Sequence, residues 1–119
     1  MKTLKFILII VIISIAYLSL TPTVTVTIGN DKISHFIAYG TLMTVIGLLS
    51  FQTRKRFFLG IISALLYGAL IEIAQHYVPG RFMSVYDLIA NGTGVFIGIV
   101  ITIMIYTPVH NSMDRLGIK

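Results

Sequence analysis

Long apolar runs separated by short polar segments set the pattern of this chain. Four runs, at about 6–20, 36–51, 57–73 and 88–106, approach the roughly 20 apolar residues a helix needs to cross bilayer hydrocarbon. The first three are slightly short, so their helices are expected to run on into the polar flanks, with end groups at headgroup depth. The fold this predicts is all-α: a bundle of four transmembrane helices. Thr21 to Asn30 alternates Thr and Val as strands do. No second strand is available to pair with it, so it reads as an extended lid over the bundle's end. Pro79 biases Val78 away from helix, and the third helix is expected to end near Pro79-Gly80. The tail from His110 reads as short and frayed.

Composition supports a membrane setting. The chain is 119 residues, long enough for one compact domain. Of these, 56% are hydrophobic and only 11% charged, against about 25% charged in soluble domains. Too few charges remain to cover a water-facing surface. The net charge of +5 comes from basic residues scattered over loops and ends, so no nucleic-acid partner is expected. Without cysteine there is no disulfide and no thiolate chemistry. Without Trp, any aromatic belt must use Tyr and Phe.

Charge placement orients the spans. Lys2 and Lys5, Arg54-Lys55-Arg56, and Arg115 with Lys119 fall on one side of a four-span chain, leaving only Lys32 and Arg81 on the other. By the positive-inside rule both termini are cytoplasmic, which in a bacterium places the chain in the cytoplasmic membrane with its other face toward the periplasm or cell exterior. The basic start, apolar run, Ser19 and Thr21 also resemble a signal peptide, but no Ala-x-Ala-like site follows, so the first span is read as retained.

Two polar stretches then share the outer face. One is Asp31-Lys32-Ile33-Ser34-His35-Phe36. The other runs through Glu72, Gln75, His76, Arg81, Ser84 and Asp87 to Asn91. Polar groups at the edge of hydrocarbon are costly unless paired or hydrated. Small residues supply the packing below them: Gly60, Ala64 and Gly68 recur every four residues, and Glu72 and His76 continue the spacing. Asp87, Asn91, Gly94 and Gly98 form a similar stripe, and Gly40 and Gly47 lie on the second span. Such stripes let helix backbones approach closely, within one bundle or, through Gly94 and Gly98, in a homodimer.

Each polar residue also has an ordinary structural explanation. Asp31 can cap a helix, Ser84-x-x-Asp87 matches a capping box, Asn91 can bond between helices, and Arg81 can snorkel to headgroups. Their convergence at one depth on one side is what points to a pocket. His35, Glu72 and Asp87 are the candidate catalytic groups, since a His–carboxylate pair can act as a general base. No nucleophile motif accompanies them. Neither H-x-x-x-H nor H-E-x-x-H is present, so no metal or other cofactor is expected. Lys32 and Arg81 suit an anionic headgroup. A transporter is disfavoured because mid-membrane polar groups are missing.

Asp-Lys-x-x-His-Phe-x-x-Tyr-Gly at 31–40, Glu-x-x-Gln at 72–75, and Arg-x-x-Ser-x-x-Asp-x-x-x-Asn-x-x-Gly at 81–94 resemble the VanZ-like membrane protein family. The resemblance covers almost the whole chain. It implies an association with resistance to the glycopeptide teicoplanin, without a settled catalytic activity. The residues matching its motifs are Asp31, Lys32, His35, Glu72, Gln75, Arg81, Ser84, Asp87 and Asn91. The expected function is an outward polar pocket for a cell-envelope lipid or lipid-linked headgroup. Membrane lipids, a lipid-linked envelope precursor or a glycopeptide are the expected partners. The alternative is an integral membrane enzyme acting on such a headgroup, with His35 or Glu72 as base.

Overall fold

A computed structural model describes residues 2–20, 31–78 and 85–117, the side chains of residues 31 and 32 excepted. The lid reading of 21–30, the Pro79-Gly80 turn, Arg81 and the Ser84 capping box lie outside those residues. What is described is four helices: α1 (Lys2–Leu20), α2 (Asp31–Ser50), α3 (Arg54–Gln75) and α4 (Val85–Leu116). No strand occurs among the described residues. All four helices are long and apolar enough to cross a membrane. α1, α2 and α3 start upstream of their apolar runs in polar residues, and α4 starts at Val85, shortly before its run.

Local chemistry sets the ends. The Thr53 hydroxyl accepts from the Arg56 amide at 3.1 Å, capping α3; this satisfies one of the amides that a helix start leaves open. Arg54, Lys55 and Arg56 then occupy the first turn, where cations oppose the helix dipole, so helix stability does not account for them. At the other end the amides of His76, Tyr77 and Val78 bond three residues back, to the carbonyls of Ile73, Ala74 and Gln75. This tight last turn precedes Pro79.

The paired contacts fix the directions. Tyr67 donates to the Ile12 carbonyl at 2.6 Å and Gln75 to the Ser19 carbonyl at 2.8 Å, so α1 and α3 run parallel. Gly94 lies against His35, Phe36 and Tyr39, Gly98 against Gly40 and Met43, and Thr102 against Gly47; α2 and α4 are therefore parallel too. Gly60 meets Ile46 and Ser50, while Gly68 meets Tyr39, which makes α3 antiparallel to α2. Both small-residue stripes thus close onto α2, the central helix. At Gly98 a Cβ would lie 2.6 Å from the Met43 Cβ and 2.7 Å from the Gly40 carbonyl oxygen. Only glycine admits that approach.

Tyr39, Leu42, Met43, Ala64, Ile71 and Val95 build the core with Ile15 of α1. The outside is apolar, with Phe6, Ile13, Leu18, Phe58, Leu66, Phe96 and Ile103 all exposed. An apolar surface this continuous suits lipid rather than water. Hydroxyls inside the bundle return to their own helices: Thr44 to Gly40, Ser50 to Ile46 and Thr102 to Gly98.

One expectation fails. The segment after Tyr106 is helix through Leu116, not a frayed tail. At about 1.5 Å per residue, the 32 residues of α4 outreach the bilayer's hydrocarbon. Pro108 sits inside the helix and removes one backbone donor, but side chains hold the segment. His110 Nε2 donates to the Leu48 carbonyl at 3.1 Å. Tyr106 packs between His110 and Phe51, with ring centroids 4.3 and 4.7 Å away. Gly117, at φ +70°, ends the helix in the left-handed region.

Candidate functional site

His35, near the start of α2, Glu72, near the end of α3, and Asp87 with Asn91, at the start of α4, meet at one end of the bundle. Helix directions bring them together: α2 and α4 begin where α3 ends. Close packing then places them, because Gly94 lets the first turns of α4 lie against the His35 and Phe36 carbonyls, 3.1 Å from where its Cβ would be. Opposite, Gly68 leaves room for Asn91 and Tyr39.

His35 is held through Nδ1, and its Nε2 faces a carboxylate. Its Nδ1 is 2.5 Å from Asn91 Oδ1, and because an amide oxygen only accepts, Nδ1 carries the proton and donates. Its Nε2 faces Asp87 Oδ1 at 3.7 Å. The Tyr39 ring, one turn below, lies nearly parallel to the imidazole, with centroids 6.3 Å apart and planes 7° apart. Glu72 is 1% exposed, Asn91 4% and Tyr39 2%. The donor atoms of His35, Glu72 and Asp87 all lie within 4.8 Å of one another. The Tyr39 hydroxyl and Asn91 Nδ2 have no hydrogen-bond partner among the described residues. Buried polar groups are seldom left so.

Of the residues singled out in sequence, His35, Glu72, Asp87 and Asn91 come together here. Gln75 is buried but turned to α1, where it satisfies the Ser19 carbonyl near that helix's end. Asp31 begins α2; the side chains of Asp31 and Lys32, and all of Arg81 and Ser84, lie outside the described residues. His76, grouped with Glu72 by its four-residue spacing, does not join the cluster. Because α3 ends at Gln75, it stands exposed against Tyr77 instead. Sequence reasoning missed Tyr39 as a site residue. Its signal was present: it stands four residues after His35, on the same helical face. Spacing rules for metal sites also missed the three-residue cluster, since its donors come one each from three helices. Gly94 and Gly98, read as serving either the bundle or a homodimer, are filled within the chain by α2.

A groove of about 530 Å³ starts one residue from His35. Phe36, Ile37, Gly40, Thr41, Thr44 and Val45 of α2 and Ile97 and Ile101 of α4 line it. It follows the α2–α4 seam away from the cluster, and its walls are almost wholly apolar.

Fold and site together define a multi-pass helical membrane protein with a polar cluster buried at one end of its bundle. A family model described as VanZ/LLP1 matches residues 5–106, and the chain belongs to that family. No curated protein and no solved structure matches the chain.

Proposed function

We propose that the chain binds the headgroup of a cell-envelope lipid or lipid-linked precursor at the outer face of a bacterial cytoplasmic membrane. Both termini are then cytoplasmic. The observation that carries this reading is a buried polar cluster at the bundle's end with an apolar groove that begins at the next residue of α2, Phe36. The headgroup would meet His35, Asn91 and Tyr39, and an acyl chain would lie along Phe36, Gly40 and Ile97. Lys32 and Arg81 are the cations in the sequence suited to an anionic headgroup, with Glu72 and Asp87 beside His35. Occupying such a lipid would alter how a lipophilic glycopeptide engages the membrane, so the family's tie to teicoplanin follows naturally. The test is mass spectrometry of lipids that co-purify with the protein. Wild type is expected to retain a defined lipid class. Thr41→Phe, which fills the groove, and His35→Ala are each expected to lose it at least fivefold. Equal lipid content in all three would sink the proposal.

A second reading, an enzyme acting on that headgroup, has one specific observation in its favour. The Asn91 bond fixes the imidazole through Nδ1, so that Nε2 is turned to Asp87 within the cluster. A base so oriented can take a proton from water or a headgroup hydroxyl, with Glu72 as the alternative base. Whole-membrane lipid analysis separates the readings. A deletion strain and a Glu72→Gln strain share an altered lipid if the protein is an enzyme, and show no shared change if it only binds.

A further inference from the structure

We infer that His35, Glu72 and Asp87 form a binding site for a divalent transition-metal ion of the zinc or manganese type. The inference goes beyond the lipid reading and stands without it. Three helices contribute one donor each, all within 4.8 Å. Nitrogen with two oxygens is a donor set that zinc and manganese accept, while thiolate-seeking ions find nothing here.

The imidazole is prepared for this role. A metal-bound histidine almost always donates its other ring N–H to a fixed acceptor, which sets the tautomer and the ring's direction. Asn91 Oδ1 takes the Nδ1 proton here, and Nε2 faces Asp87 within the cluster. The 3.7 Å from Nε2 to Asp87 Oδ1 is too long for a hydrogen bond. It is close to the separation of two donors on one ion, about 3.3 Å for tetrahedral zinc with bonds near 2.0–2.2 Å. Drawing the widest pair onto an ion takes side-chain shifts of about 1 Å on the same bond lengths.

Of two unpartnered buried polar atoms, the Tyr39 hydroxyl gives a further sign of something bound. The Tyr39 hydroxyl and Asn91 Nδ2 have no partner among the described residues, and both side chains are more than nine-tenths buried. Tyr39 stacks on the ligating ring and Asn91 bonds to it. A water or headgroup oxygen on the ion would give the Tyr39 hydroxyl a partner, whereas Asn91 Nδ2 faces Gly68 of α3. Three protein donors leave at least one coordination position for that oxygen, as sites that take an exogenous ligand require.

The experiment uses the full chain in detergent, without a polyhistidine tag, stripped with chelator and titrated separately with Zn²⁺ and Mn²⁺ by calorimetry. The expected result is one ion of at least one of the two metals per chain. Glu72→Gln and Asp87→Asn, which keep side-chain shape, are expected to weaken binding at least tenfold. Asn91→Ala, which keeps all three donors, is expected to weaken it roughly tenfold through the ring it no longer fixes. His76→Ala is expected to bind as wild type does. Elution volume and helical circular dichroism identify any variant that fails to fold; Asn91→Ala and the stripped wild type then carry the comparison. Binding that survives Glu72→Gln and Asp87→Asn unchanged, or no binding of either ion by wild type, overturns the inference.

Discussion

Tyr39 and Asn91 are the residues at which packing and binding can be told apart. The Tyr39 ring fills the core beside His35, whereas its hydroxyl makes no hydrogen bond to the described residues. Tyr39→Phe keeps the ring and removes an unmet donor, so stability in detergent, followed by thermal unfolding, should hold or rise by about 1 kcal/mol or less. Retained lipid should fall in the same variant. A loss of stability without loss of lipid would make Tyr39 a purely structural residue. Asn91→Leu leaves the buried Nδ1–H of His35 without its acceptor and should cost about 1–3 kcal/mol. Replacing both partners, as His35→Leu with Asn91→Leu, should cost less than that single change, since no unmet group remains. Denaturant titrations of the three proteins in one detergent decide this.

Among the helices, glycine position separates tight contact from open space. Gly98 faces the α2 backbone and Gly92 faces nothing within 4 Å. Gly98→Ala should therefore destabilise by about 1–3 kcal/mol, while Gly92→Ala should be neutral or gain up to about 1 kcal/mol of helix propensity. Equal melting temperatures for the two variants would contradict the α2–α4 seam. Much of this level was legible in sequence, because span lengths, small-residue stripes and helix starts are local properties of the chain. The stripe Gly60, Ala64, Gly68 and the pair Gly94 and Gly98 were visible; that both close onto α2 was not, since spacing names a face but not its partner. The continuation of α4 past Pro108 was hidden for a similar reason. Proline and polar residues argue locally for an end, and contacts from α2 and the turn after it, through Leu48 and Phe51, override them. At the site, four of the residues named from sequence do meet. The helical spacing that links His76 to Glu72 runs past the end of α3 at Gln75, and Tyr39 stands within the motif at 31–40.

For the molecule as a whole, helix directions gather charge and chemistry at opposite ends. Lys2, Lys5 and Arg54 to Arg56 start α1 and α3, and Arg115 ends α4. The His35 cluster lies at the other end, where α2 and α4 begin. That segregation places the cluster on the outer face only if the positive-inside rule governs this chain. Because the chain has no cysteine, single cysteines can be introduced directly and probed in intact cells with a membrane-impermeant thiol reagent. Cysteine at Asn30 or Gly80 is expected to label from outside, and cysteine at Thr53, beside the three cations, to label only after the cells are permeabilised. Labelling of Thr53→Cys in intact cells, with Asn30→Cys and Gly80→Cys protected, would put the polar cluster on the cytoplasmic face and contradict an outward-facing lipid site.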